Sequence, residues 1–477
     1  MDEVDAGPVA DLVVVANRLP VRRTDEGWRT SPGGLVAALA PVLAKRRGAW
    51  VGWTGEGLTD PVLPDPSPFE HDGMLLQELP VHADEVVDHY EGAANGTIWP
   101  LYHDAIQAPE FHRHWWRTHL SINRRFAEAA ARIAAPDATV WVHDYQLQFV
   151  PQFLRELRPD VRIGFFLHIP FPPEELFVRL PWRRDVIEGL LGADLIGFQT
   201  LSDARNFRSL CRRLAGHPVR HGDVTVGGRT VRTGVFPITV DVASIEEAAR
   251  RPGREESVTE LRERLGNPAT VLLGVDRLDY TKGIEVRLKA FRELLDTGLL
   301  RVPEAVMVQV ATPSREDVAA YVEERDRIER LIGEINGTFG QVGAPAVHYI
   351  HRTIPFDDLV TLYRAADIMM VTPFRDGMNL VAKEFVATRI DGTGALVLSE
   401  FAGAAHELTA ATLVNPHDTD GVRDAMARLL RTTPAERRVG MRTLRRAVRR
   451  SDVHDWANNF LVALEAATAL SEHTFDN

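Results

Sequence analysis

Eight short runs rich in β-branched and apolar residues recur along the chain, each separated from the next by helical pattern. They are Leu12 to Ala16, Thr139 to Val142, Arg162 to Leu167, Leu195 to Phe198, Val271 to Val275, Val306 to Val310, Ile368 to Val371 and Ala395 to Leu398. Such alternation predicts an α/β fold with parallel sheets. The polar residues that stand out follow these runs directly: Arg18, Asp144, His168, Arg277, Arg315 and Asp376 would line one rim. The runs form an early and a late set, which places a domain break near Pro237 to Ser244. Two facing Rossmann-like domains, residues 1–240 and 241–452, are expected with an active-site cleft between them. The charged helical stretch Ile245 to Leu265 leads into the second sheet. A last helical segment, within residues 453–477, carries Trp456, Phe460, Leu461 and Leu464 at helix spacing; packing back on the first domain is one option for it, which periodicity does not decide.

Composition narrows the function. At 477 residues the chain exceeds the ~250 to 300 at which a single core stops growing, in keeping with two domains. A net charge of -12 argues against a general binder of nucleic acid or membrane surfaces, so any basic site must be local. With one cysteine, Cys211, an intrachain disulfide and a cysteine-rich zinc site are both excluded. No apolar run approaches the ~20 residues needed to span a bilayer, and the acidic start lacks signal-peptide character. A cytoplasmic, reduced protein is expected, with fraying in the first ten residues and after about Ser471.

Two blocks carry the chemistry. In Thr372-Pro-Phe-Arg-Asp-Gly-Met-Asn-Leu-Val-Ala-Lys-Glu384 an apolar run stops at a tight glycine-containing turn and becomes a helix. Ligands collect outside the carboxyl ends of parallel strands, and a helix N-terminus suits phosphate. Asp376 would sit at the tip of the turn, and Glu384 within the first turns of the helix, where a carboxylate can accept ribose hydroxyls. In Val271-Leu-Leu-Gly-Val-Asp-Arg-Leu-Asp-Tyr-Thr-Lys-Gly283 a buried strand leads into a turn bearing Arg277 and Lys282. These two cations could stabilise a leaving diphosphate in place of a metal, or be solvated loop charges.

Other motifs are weaker. Ser31-Pro-Gly-Gly-Leu35 and Gly55-Glu-Gly57 lack the third glycine of a dinucleotide fingerprint, which argues against a dehydrogenase. Gly33-Gly34 would let backbone approach a ligand, or simply start a helix. Asp418-Thr-Asp420 reads as a turn and helix cap better than as a metal-nucleotide site. His168, before a proline-rich turn, and Asp144, after Val142, are open to both core and ligand roles. Arg18 and Arg315 come from opposite domains, so a phosphate gripped by both requires a closed cleft. Asp376 and Glu384 share one turn and helix, unlike the flanking carboxylates of a glycosidase.

These residues, together with Ala16-Asn-Arg-Leu, Val51-Gly-Trp-Thr-Gly55, Tyr90 with Trp99-Pro100, His143-Asp-Tyr, Phe166-Leu-His-Ile-Pro-Phe-Pro and Phe401-Ala-Gly-Ala-Ala405, carry a resemblance over the whole chain. The sequence resembles the retaining glycosyltransferases of family 20, the trehalose-6-phosphate synthase family, with its two-domain GT-B fold. The resemblance implies transfer of glucose from UDP-glucose or GDP-glucose to glucose 6-phosphate, with no metal or other cofactor, and no nucleic-acid or membrane partner. It implies an acceptor-binding first domain and a nucleotide-sugar-binding second one. Arg277 and Lys282 would bind the donor diphosphate, Glu384 the ribose, and backbone around Asn379, Leu380 and Val381 the phosphates. His168, Asp376, Gly377 and Met378 would hold the donor glucose. Arg18, Trp53, Tyr90, Trp99, Asp144 and Arg315 would meet the acceptor, and Gly34 would lie close to the donor. The leaving phosphate would itself take the acceptor proton.

The segment Tyr349 to Phe356, expected to contact the base, carries no clear code for uracil against guanine. Coupling of an aminocyclitol phosphate, a nucleotide-sugar 2-epimerase and a catalytically silent sugar-phosphate sensor are the alternatives. A homo-oligomer is left open. The chain is too short for the phosphatase domain often fused in this family, so the phosphorylated product is expected to be the last one.

Overall fold

The computed structural model describes residues 9–24, 27–30 and 34–472. Ser31 to Gly33, the extreme N-terminus and residues 473–477 lie outside the described residues. The chain forms two compact units: one from the chain up to Pro237 and from His454 onward, the other from Ile238–Val453.

The first unit is built on parallel strands β1 (Ala10–Arg18), β2 (Gly48–Trp53), β3 (Met74–Glu78), β4 (Ala134–His143), β5 (Arg162–Phe166), β6 (Leu195–Phe198) and β7 (Arg229–Val235), in the spatial order β7-β6-β5-β4-β1-β2-β3. Short antiparallel strands extend both edges. Val13, Val14 and Val15 are fully buried, as expected for a parallel strand covered on both faces. Numbering runs outward in both directions from the β1–β4 pair. The winding therefore reverses there, which leaves a crevice at the carboxyl ends of β1 and β4. In register, Val15 faces Val51 and Val142, and Arg18 faces Trp53.

The second unit repeats the plan with β8 (Thr270–Arg277), β9 (Ala305–Thr312), β10 (Val347–Ile350), β11 (Ile368–Val371), β12 (Ala395–Ser399) and β13 (Thr412–Val414). All pairings are parallel, in the order β10-β9-β8-β11-β12-β13. Here the reversal falls between β8 and β11. One face of the sheet is sealed by Phe291, Leu294 and Met426 against Leu272, Met307 and Val397. The α/β architecture with parallel sheets is the one the alternating runs predict.

Three local features differ from the sequence reading or add to it. The helical stretch Ile245 to Leu265 is divided between two helices, Val242–Arg250 and Arg254–Arg264. Pro252 cannot continue the ladder and Gly253 turns the chain at φ +84°. Val86–Ile98 is a π-type helix, closing with the Trp99 amide on the Ala94 carbonyl. Its wide turn brings Gly92 under the Trp115 ring, where a Cβ would lie 2.4 Å from the indole. The helix Val453–Glu472 covers the first unit's sheet: Phe460 stacks on Trp141 at 4.3 Å, and the Trp456 indole N–H donates to the Phe236 carbonyl at 3.0 Å. Gly164 and Gly197 leave the space for it, since a Cβ on either would come within 2.7 Å of the Phe460 ring.

Candidate active site

Each unit gathers its candidate residues at its own switch point. In the first unit, Arg18 ends β1 and its guanidinium lies over two rings, 4.0 Å from the Trp53 centroid and 5.0 Å from that of Tyr90. The rings meet edge to face at 5.7 Å, and the Trp53 indole N–H is tied to the Glu56 carbonyl at 2.8 Å. A planar cation laid on an aromatic wall keeps its edge available for hydrogen bonds in one plane. Gly55 permits this, because at its φ of +106° a Cβ would collide with Arg18 Nη1. The sequence singles out Arg18, Trp53 and Tyr90 separately; the fold brings them together.

Asp144, just past β4, sits at φ +74° and ψ 170°, a backbone state that costs energy for a residue with a side chain. Its amide donates to the Phe166 carbonyl at 2.8 Å, and its carboxylate accepts from the His168 amide at 3.2 Å. The loops after β4 and β5 are thus locked to each other. His168 Nε2 lies 3.1 Å from His143 Nδ1, so one nitrogen donates and the other accepts. Burial holds both rings neutral, pushing His168 down to about 3 and His143 well below the usual histidine range, with His168 adding to the effect on His143. Trp99 is buried against His103 and Tyr145, at ring distances of 4.1 and 5.5 Å. Gly34 opens the helix Gly34–Ala44.

The second unit's switch point is made of fixed charge. Lys282 Nζ donates to Asp376 Oδ2 at 2.6 Å, and the Asn379 amide donates to the same oxygen at 3.1 Å. The loops after β8 and β11 are laced by the Phe374 amide on the Thr281 carbonyl, at 2.8 Å, and by the Thr372 hydroxyl on the Gly283 carbonyl, at 3.1 Å. Gly283 has no substitute here, since a Cβ would lie 2.2 Å from the Thr372 carbonyl oxygen. Asn379 caps the helix Leu380–Thr388 by accepting from the Ala382 amide at 3.2 Å. The amides of Leu380 and Val381 open this helix outside its own ladder, the arrangement that attracts phosphate. The turn Asp376-Gly377-Met378 is braced by Phe401 to Ala404: Asp376 N on Phe401 O, Gly403 N on Asp376 O and Ala404 N on Met378 O. Glu384 stands on the second turn of the helix, with the Tyr363 hydroxyl donating to its Oε2 at 2.9 Å.

Two buried carboxylates hold this charge in place. Burial would raise the Asp279 carboxyl, but Arg315, Arg277 and Lys282 outweigh it and hold it at about 2. Arg315, at φ +52° with its side chain 3% exposed, is drawn into this interior group, with Nη1 3.3 Å from Asp279 and bonded to the Tyr321 hydroxyl. Arg277, ending β8, is exposed. Below the loop, fully buried Arg287 pairs with Asp276 at 2.8 Å and donates to the Met370 and Lys282 carbonyls at 2.8 and 2.9 Å. Burial pushes Asp276 up to about 6 against the pull of Arg287 and Lys282. Asp279, Tyr321, Arg287 and Tyr363 escape the sequence reading. Asp279 alone carries a signal there, as a carboxylate two residues from Arg277 and three from Lys282. Asp418 acts as a helix cap, accepting from the Gly421 amide at 3.0 Å.

A family model described as Glycosyltransferase family 20 matches residues 10–466. The chain belongs to this family. It is 54% identical to the trehalose-6-phosphate synthase of Mycolicibacterium gilvum over 98% of this chain and 95% of that protein. Among solved structures, the family-20 fold is matched in the α,α-trehalose-phosphate synthase (UDP-forming) of Burkholderia xenovorans in complex with glucose-6-phosphate. The TM-score is 0.88 and the identity 34%, over 95% of this chain and 99% of that one. The Escherichia coli protein bound with UDP-2-fluoro glucose matches at a TM-score of 0.87 and 34% identity, over 95% and 98%. Among the described residues of this glycosyltransferase no helix is long and apolar enough to cross a membrane.

Proposed function

We propose that this family-20 enzyme transfers glucose from UDP-glucose to glucose 6-phosphate, giving α,α-trehalose 6-phosphate with the donor's anomeric configuration retained. The observation that carries the reading is the second unit's switch point, where Arg277, Lys282 and Asp376 stand on loops after adjacent strands, and the helix that follows brings its N-terminus and Glu384. Arg277, Lys282 and the amides around Asn379, Leu380 and Val381 take the diphosphate, and Glu384 takes the ribose. Asp376, with Gly377 and Met378, holds hydroxyls of the donor glucose, as does His168, whose neutral ring neither attracts nor repels the phosphates. Arg18 takes the acceptor phosphate, within the surroundings of Trp53, Tyr90, Trp99 and Asp144, while Arg315, held on Asp279 and Tyr321, is placed behind the donor loops rather than on that phosphate. Gly34 offers backbone to the donor.

As the bond from C1 to the diphosphate oxygen lengthens, negative charge grows on that oxygen, and two preorganised cations stabilise it there. The acceptor hydroxyl approaches on the face the diphosphate leaves. Its oxygen bonds to C1 as the leaving bond breaks, and its proton passes to the departing phosphate oxygen. A same-face transfer of this kind needs no carboxylate nucleophile.

The UDP-2-fluoro glucose and glucose-6-phosphate named with the related structures favour these two substrates. The test is incubation with UDP-glucose and with GDP-glucose, each with and without glucose 6-phosphate, followed by NMR of the products. Formation of an α,α-linked disaccharide phosphate that requires glucose 6-phosphate is expected. A β-linked product, or sugar-nucleotide conversion without the acceptor, would overturn the assignment. Turnover abolished by chelator and restored only by added Mg²⁺ or Mn²⁺ would overturn the role given to Arg277 and Lys282.

A further inference from the structure

Tyr363 lies on the helix Phe356–Ala365 and is fully buried, its ring edge-on to Phe385 at 6.3 Å and 75°. A buried tyrosine hydroxyl usually finds an acceptor, and most acceptors in a core are backbone carbonyls. Here it is Oε2 of Glu384, at 2.9 Å, on the neighbouring helix. From this geometry we infer that Tyr363 is a positioning residue for donor selection: its hydroxyl pins one carboxylate oxygen of Glu384, so that the other is presented to the ribose hydroxyls. The inference rests on the reading of Glu384 as the ribose ligand.

Chemistry supports a role beyond filling space. Burial raises the Glu384 carboxyl, which favours a protonated acid that donates where the ribose requires an acceptor. The Tyr363 hydroxyl opposes that rise by bonding to the ionised form. Burial, together with the neighbouring charges of Glu384 and Asp276, keeps Tyr363 itself far from ionising, so it remains a donor at all working pH values. An unpinned carboxylate on a helix would also swing about its terminal torsion, which is broad and weakly restrained. Discrimination between a ribose and a deoxyribose requires that torsion to be fixed.

Tyr363→Phe keeps the ring and removes only the hydroxyl. The experiment measures kcat and KM for UDP-glucose and for its 2′-deoxyribose counterpart in the parent enzyme, Tyr363→Phe and Glu384→Gln. In Tyr363→Phe, KM for UDP-glucose is expected to rise on the order of 10-fold, the scale for a hydrogen bond to a charged group. The kcat value and KM for glucose 6-phosphate should hold within about twofold, and the preference for ribose over 2′-deoxyribose should fall toward that of Glu384→Gln. Because this preference is a ratio within one variant, the fraction of folded enzyme cancels from it. An unchanged preference in Tyr363→Phe, with Glu384→Gln having lost it, overturns the positioning role and leaves Glu384 as the ribose ligand. An unchanged preference in Glu384→Gln overturns both.

Discussion

At the first unit's switch point Asp144 stands beside the neutral rings of His143 and His168, with the cation of Arg18 laid on aromatic faces. At the second unit's switch point Lys282, Arg277 and Arg315 are set against Asp376 and Asp279, with Arg287 and Asp276 beneath. Both sites arise from the same reversal of strand order, so topology fixes where a ligand can sit and not which one. The first site is shaped by packing, and its specificity lies in ring positions and a strained backbone. The charged site is shaped by mutual compensation: Arg315 and Arg287 are held by Asp279 and Asp276, carboxylates that burial would otherwise penalise, and Lys282 is held by Asp376.

The sharpest way to break this comparison is to remove a compensating charge. Asp279→Asn leaves Arg315 without its buried counter-ion and is expected to cost about 3 to 5 kcal/mol in stability, read from denaturant unfolding. A cost under about 1 kcal/mol would mean that the cations do not depend on it. Lys282→Ala should lower kcat by ~10² or more, the effect of deleting one preorganised stabilising donor. Steady-state rates at saturating substrates check this, and a change confined to KM would place Lys282 outside the reacting phosphate.

Arg18→Lys tests the aromatic side. A lysine keeps the charge but loses the flat fork that stacks on Trp53 and grips phosphate at two points, so kcat/KM for glucose 6-phosphate should drop on the order of 10-fold with donor KM unchanged. Full activity with lysine would reduce Arg18 to a point charge.

The pH dependence is the most diagnostic of the contrast. His89, His119, His143 and His168 are all pushed below the ordinary 6.5 by burial, His119 and His168 to about 3. Below pH 6.5 the unfolded chain takes up protons that these rings refuse, so the first unit loses stability as pH falls from 6.5 toward 3. Asp276 has the opposite sign: raised from 3.8 to about 6, it binds a proton in the folded state first, and the second unit gains stability as pH falls from 6 toward 3.8. Asp279, held at about 2, withdraws its contribution only below 3.8. Hydrogen exchange followed by peptide mass at pH 7 and pH 5 should show protection falling in the first unit and holding in the second. Equal loss in both would contradict the assignment of charge.

Strands buried on both faces were the most legible part of the sequence, because nothing polar interrupts them. Leu195–Phe198 and Ile368–Val371 are continuous apolar runs and match their strands to the residue. Gly48–Trp53 and Arg229–Val235 are less legible: the first is rich in glycine and tryptophan, and the second, Arg-Thr-Val-Arg-Thr-Gly-Val, mixes charge into a strand near the edge of the sheet. In the site, residues just after strand ends could be named from their position in the chain. Arg287 and Tyr363 could not, since each occupies an ordinary helical position whose partner is set by packing between elements. The return of Trp456 and Phe460 to the first unit is legible only as one of two options, because helical spacing gives a face and no address.

That returning helix bears on how the protein is made. The second unit is continuous from Ile238 to Val453, whereas the first needs Val453–Glu472 to cover Trp141 and Phe166. Domains on a growing chain ordinarily close in order of synthesis. On the ribosome this order is inverted: the half translated first must wait, with aromatic surface bare, until the half translated second has already closed.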